Sequence, residues 1–122
     1  MRILLVDDDS AVRRALTRVL RRDADLAEAA SAEEALAQLE GGLVVDLVLS
    51  DYHMDEMTGL DLYTRIEERF GASAPRVVLM SGSSMEPGLR RAVKEKGIVL
   101  LDKPFRIEEL HRALERSAVR HD

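Results

Sequence analysis

Four short apolar runs, each ending on acidic or hydroxylated residues, constrain this 122-residue chain more than any other feature. Ile3 to Val6 runs into Asp7-Asp8-Asp9, and Val44 to Leu49, broken by Asp46, runs into Ser50-Asp51. Val77 to Met80 runs into Ser81-Gly82, and Ile98 to Leu101 into Asp102-Lys103-Pro104-Phe105. The runs are rich in Val, Ile and Leu and nearly continuous rather than alternating. That is the pattern of strands covered on both faces, as in a parallel sheet. A weaker fifth run, Leu26 to Ala30, contains Glu28 and small residues and suits an edge strand.

Between the runs the apolar period changes to that of helices. Val12, Leu16, Val19 and Leu20 share one face of a first helix, with Arg13, Arg14, Arg18 and Arg21 largely outside it and Asp9 or Ser10 as its cap. Ser31 with Glu34 forms a capping box for a second helix through Leu36 and Leu39, which Gly41 stops. Thr58 caps a third helix carrying Leu62, Ile66 and Phe70 and ended by Gly71. Pro87 opens a fourth that Gly97 closes, and Ile107, Leu110 and Leu114 form the stripe of a fifth. Strand and helix alternate five times without a linker or repeat, so the expectation is one domain over residues 1–122. Its class is α/β: right-handed crossovers build a doubly wound, five-stranded parallel sheet of order 2-1-3-4-5, the flavodoxin-like (βα)5 arrangement. Such sheets bind ligands at the carboxyl ends of their strands where the order reverses. Here the reversal falls between strands one and three, which end in Asp7-Asp8 and Asp51.

Three carboxylates brought to one edge repel, by roughly 4 kcal/mol per pair at about 4 Å and an effective dielectric near 20. A hard cation such as Mg²⁺, which takes oxygen ligands and few of them from protein, relieves that repulsion. With Ser81 and Lys103 at neighbouring strand ends, the rim suits a phosphoryl group. Mg²⁺ and Lys103 would neutralise its oxygens, Ser81 would donate a hydrogen bond, and Asp51 is placed to attack phosphorus.

Other classes are excluded by composition. The net charge is -5, aromatics are 3% and Trp is absent, so the chain lacks the basic patches and stacking platforms of direct nucleic-acid binding. It has no Cys, which removes disulfides, thiolate metal sites and cysteine nucleophiles. No stretch reaches membrane-spanning length and the N-terminus lacks a signal-peptide layout, so no membrane association and a cytoplasmic location are expected. The loop after the first run is Asp-Asp-Asp-Ser rather than G-x-G-x-x-G, which argues against a dinucleotide site.

The strings Leu5-Val6-Asp7-Asp8, Leu49-Ser50-Asp51, Met80-Ser81-Gly82 and Lys103-Pro104-Phe105 resemble the CheY-like receiver domain of two-component response regulators. The similarity runs from Arg2 to about Ala118. Receivers are themselves an example of the 2-1-3-4-5 order. The resemblance implies a bacterial, cytoplasmic signalling switch, a phosphoacceptor that assists its own phosphorylation and dephosphorylation rather than an enzyme. Asp51 would be the phosphoacceptor. Asp7, Asp8, Asp51 and the backbone carbonyl of His53 would hold Mg²⁺, Ser81 would sense the phosphoryl group, and Lys103 would pair with its oxygens ahead of a cis peptide to Pro104. A sensor histidine kinase or phosphotransfer protein would donate from phosphohistidine. The signal would pass to a downstream protein target through the face built by the fourth helix, fifth strand and fifth helix. With the sequence ending at Asp122, a single-domain regulator, a phosphate shuttle and an excised receiver are all open.

The family pattern is broken in places. Leu100 stands where a Tyr or Phe is usual, and Met54-Asp55 stands where Met-Pro is usual, placing another acid near the metal. His53 and Ser83 occupy positions that influence water access to the phosphoryl group. A receiver-like binding module that works without phosphorylation is one alternative. An aspartate-nucleophile phosphatase is another, though it wants an acid where His53 stands. His111 is expected on the solvated side of the last helix and His121 in a frayed tail, and the Met residues as core and loop fillers. Arg13, Arg14, Arg18, Arg21 and Arg22 read as a basic face, solvated or serving as a docking surface.

Overall fold

A computed structural model describes residues 1–82 and 85–118, so Ser83 and His121 lie outside the described residues. The elements follow in the order β1 (Arg2–Val6), α1 (Ser10–Leu20), β2 (Asp25–Ala29), α2 (Ala32–Glu40), β3 (Leu47–Asp51) and α3 (Gly59–Phe70). After a 3₁₀ turn at Gly71–Ser73 come β4 (Arg76–Ser81), α4 (Pro87–Glu95), β5 (Val99–Asp102) and α5 (Ile107–Ala118). All strand pairs are parallel and the order is β2-β1-β3-β4-β5, as the sequence pattern implies. Among the described residues no helix is long and apolar enough to cross a membrane.

The near-continuous apolar runs exist because each central strand feeds two cores. Leu4, Val6, Val48 and Leu79 turn to one side and pack with Leu36 and Leu39 of α2, Leu62 and Ile66 of α3 and Val93 of α4. Ile3, Leu5, Leu47, Leu49, Val78 and Met80 turn to the other and meet Leu16 and Leu20 of α1 with Leu110, Ala113 and Leu114 of α5. Each fully buried Leu or Ile contributes about 1.5–3 kcal/mol, so a polar residue in mid-strand would cost more than a turn signal could offset. β2, at the edge, keeps Asp25 and Glu28 exposed.

Local signals set the helix starts. Asp9 Oδ1 accepts from the Ala11 amide at 2.9 Å, so Asp9 rather than Ser10 caps α1. Thr58 and Asp61 bond each other's backbone amides reciprocally at the start of α3. At α2 the box is shifted. Ser31 Oγ accepts from Glu34, but the Glu34 carboxylate reaches the Ala30 amide, one residue further back. α2 stops at Gly41 as expected, with Gly41 as its C-cap at a φ of -78° and Gly42 taking the left-handed φ of +109°.

Two apolar residues lie outside the core expected for them. Val44 is 76% exposed and β3 begins only at Leu47, because Asp46 is used at the sheet's lower edge. Its carboxylate accepts from the Arg2 amide at 2.8 Å and its own amide donates to the Arg2 carbonyl. Ile107 opens α5 at 53% exposure, before the helix has turned its stripe onto the sheet. At their other ends β4 and β5 run one residue past the apolar stretch and β3 runs two, so Asp51, Ser81 and Asp102 are strand residues with directions fixed by the ladder.

The loop from β3 to α3 folds back so tightly that Gly59 lies on the end of β3. Its amide donates to the Tyr52 carbonyl at 2.9 Å, and a Cβ there would sit 2.6 Å from the Asp51 carbonyl oxygen and 2.8 Å from Leu79 Cδ2. A backbone atom cannot swing aside. Gly59→Ala is therefore expected to destabilise the fold by about 1–3 kcal/mol, the usual cost of overpacking. Chemical denaturation will measure it, and an unchanged midpoint would show that the loop has slack.

Candidate functional site

Asp7 follows the last residue of β1 and is 1% exposed, Asp8 is exposed beside it, and Asp51 closes β3 at 8% exposure. Since β1 and β3 are neighbours, one carboxylate oxygen from each of the three lies within 4.8 Å of the others. Opposite them stands Lys103, whose backbone amide is held by the Ser81 carbonyl at 2.7 Å and whose peptide to Pro104 is cis. Its Nζ donates to Asp51 Oδ1 at 3.3 Å and lies 3.8 Å from Asp7 Oδ2. Three acids thus face one ammonium.

Asp7 carries the strain of this arrangement. Its Oδ1 accepts from the Asp9 amide at 2.9 Å, but its Oδ2 is buried with no hydrogen-bond partner. Burial pushes its carboxyl above the ordinary value, the Asp9 amide pulls it down, Asp51 and Asp8 raise it further, and Lys103 lowers it. A buried acid oxygen without a donor, next to two further carboxylates, fits a hard divalent cation. Asp55 does not join this group among the described residues. It is exposed, in a tight loop where Glu56 takes a φ of +65°. His53 is also exposed, with its ring edge-on to buried Tyr52 at 4.9 Å.

Ser81 is fully buried, and its hydroxyl is engaged with Asp102, donating to Oδ1 at 3.1 Å. Arg90 of α4 donates to the same oxygen at 2.6 Å. Burial pushes the Asp102 carboxyl up, but these two bonds and the Arg90 and Lys94 charges together hold it below the ordinary range. Leu100 is partly buried against the core on the α2–α3–α4 side of the sheet.

Arg13 does not belong with the solvated arginines. It donates to the Asp7 carbonyl and, through Nε, to Glu28 at 3.1 Å, tying α1 to the tips of β1 and β2. Its side chain is only 17% exposed, while Arg14, Arg18, Arg21 and Arg22 are exposed. The signal for it was Glu28, an acid inside an otherwise apolar strand run and in need of a partner. His111 likewise departs from its expected solvation, for its Nε2 is buried without a partner.

The model of the response regulator receiver domain matches residues 3–115. The chain belongs to this family. The two-component response regulator ORR3 of rice is 33% identical over 115 residues, covering 93% of this chain and 88% of that protein. The response regulator protein TmoT of Ectopseudomonas mendocina is 33% identical over 108 residues, covering 88% of this chain but 48% of TmoT. The chain likewise spans 55% of ORR7, another rice response regulator, so it corresponds to about half of some relatives. A receiver protein of Pseudomonas putida superposes with a TM-score of 0.83 at 28% identity, over 94% of this chain and 95% of that one. CheY4 of Vibrio cholerae gives 0.82 at 25% identity, over 95% and 97%. With relatives in plants as well as bacteria, the expected bacterial origin does not follow from the family. What does follow is a module of phosphorylation-controlled signalling.

The raised Asp7 carboxyl has a testable sign. A folded state that holds the proton more tightly loses stability as pH rises from the ordinary 3.8 through the raised value, so at neutral pH the Asp7 charge opposes folding. Without divalent metal, Asp7→Asn should melt higher than the parent, by roughly 4 °C for each 1 kcal/mol relieved. Added Mg²⁺ should raise the parent's melting temperature and leave that of Asp7→Asn nearly unmoved. Equal responses of the two proteins would separate Asp7 from metal binding.

Proposed function

We propose that Asp51 is a phosphoacceptor, charged by a phosphohistidine on a sensor histidine kinase or phosphotransfer protein. The Lys103 ammonium, bonded to Asp51 and 3.8 Å from the buried Asp7 oxygen that has no hydrogen bond, is the observation that carries this reading. In the transfer an Asp51 carboxylate oxygen forms a bond to phosphorus, the phosphorus–nitrogen bond breaks, and the electron pair stays on the donor imidazole. The product is an acyl phosphate at the carboxyl end of β3. Lys103 orients the carboxylate beforehand and balances the added charge afterwards. Asp7, Asp8, Asp51 and the His53 backbone carbonyl would hold Mg²⁺, which when bound supplies positive charge to the phosphoryl oxygens. The Ser81 hydroxyl would donate to one of those oxygens once it leaves Asp102.

The chain is then a switch rather than a turnover enzyme, and it assists both gain and loss of its own phosphoryl group. The change would be read on the α4–β5–α5 face by a downstream protein target in the cytoplasm, with no direct contact to nucleic acid or membrane. Coupling of this kind is typically 1–3 kcal/mol, enough to shift two populations but not to remake the fold.

Incubation with acetyl phosphate and Mg²⁺ should add one phosphoryl group by intact mass, and Asp51→Asn should abolish the gain. Lys103→Ala should slow it by roughly 10²-fold, the scale seen when one charge-stabilising donor is removed. A chain that gains no mass under these conditions would instead be a binding module that keeps the receiver fold without the chemistry.

A further inference from the structure

Ser81 and Asp102 stand opposite each other on the last rung of the β4–β5 ladder. The hydroxyl has one proton to donate, and here it goes to Asp102 Oδ1 at 3.1 Å. Ser81 is fully buried, so bulk water offers it no alternative acceptor. Asp102 is fixed in turn from outside the sheet. Arg90, in the first half of α4, donates to the same oxygen at 2.6 Å, a short charge-assisted bond. Lys94, one turn further along α4, adds its charge to the same carboxylate. Leu100, two residues before Asp102, has no polar group with which to receive the hydroxyl.

A single proton cannot serve two anions. A bond from Ser81 to Asp102 and a bond from Ser81 to a group on Asp51 therefore exclude each other. We propose that Asp102 and Arg90 are positioning residues that hold the Ser81 hydroxyl in competition with a phosphoryl group on Asp51, and so couple that group to α4. This rests on the phosphoacceptor reading and adds to it the path by which α4 is informed. The linkage runs both ways. A phosphoryl group that draws the hydroxyl away strips Asp102 of one of its two donors and loosens its hold on Arg90. Conversely, removing Asp102 frees the hydroxyl and favours whatever binds on Asp51.

The test is a titration of the full chain with beryllium fluoride, a phosphoryl mimic, at fixed Mg²⁺. Asp102→Ala should tighten the apparent affinity by about fivefold or more, the lower end of allosteric couplings, and Arg90→Ala should act in the same direction. Both gains should vanish when Ser81→Ala is present, a result that loss of a merely structural ion pair would not produce. In the parent, the mimic should also speed hydrogen exchange of the α4 amides. Arg90 lies near the surface of its helix, so Arg90→Ala tests the path even where Asp102→Ala folds poorly. An affinity unchanged in both variants, or a gain that persists without the Ser81 hydroxyl, overturns the positioning role while leaving the acceptor intact. A parent that takes up no beryllium fluoride overturns the acceptor reading and this one with it.

Discussion

The repulsion among Asp7, Asp8 and Asp51 is the constraint on which the site depends. Parallel strands β1 and β3 bring the three acids together whether or not anything is there to neutralise them, and burial of Asp7 removes the water that would otherwise screen it. Lys103 answers part of the charge, at 3.3 Å from Asp51 and 3.8 Å from Asp7. The rest is left as an oxygen without a hydrogen bond and a raised carboxyl pKa on Asp7. A fold keeps such a fault only if the two hydrophobic layers around it are strong enough to carry the cost. Here every central strand is sealed on both faces, by α2, α3 and α4 on one side and α1 and α5 on the other.

The layers also decide how finely the site is placed. Asp51, Ser81 and Asp102 are the final residues of their strands, and their side-chain directions follow from ladder register rather than from loop conformation. Gly59 extends this control, because the return of the chain onto the Asp51 carbonyl leaves no room for a Cβ. The polar groups at the strand ends are thus held by backbone pairing, while Asp8, His53 and Asp55 stand on exposed loops around them.

How much of this was legible in the sequence follows from what each residue's signal depends on. The strands and their order were readable because burial on both faces forces unbroken apolar runs, and the acids were readable because they interrupt those runs abruptly. Element ends were read less well. Val44 looks like strand but is exposed, since Asp46 is taken by backbone bonds to Arg2 and the chain enters the sheet only afterwards. Arg13 and Arg90 were hidden for a different reason. An arginine on a helix surface looks the same whether it faces water or an acid on a neighbouring element, and only the packing of α1 against β2 and of α4 against β5 separates the two. His111 shows the converse, a polar side chain whose Nε2 is buried by its neighbours with no partner to announce it.

The charge balance and the switch are one problem seen from two ends of the rim. A dianion added to Asp51 would worsen the repulsion unless donors move toward it, and two side chains of this rim able to give protons are Lys103, already facing the acids, and Ser81, facing Asp102. Lys103 can serve without moving far, because an ammonium has three protons and its bond to Asp51 uses one. Ser81 cannot, because its single proton is committed. Any demand from Asp51 on that hydroxyl is therefore felt at Asp102, where Arg90 supplies the other bond and where α4 meets β5. A buried hydroxyl with two mutually exclusive acceptors has two discrete states rather than a continuum. In the proposed coupling, that discreteness is what would turn a local change of charge into a change at α4.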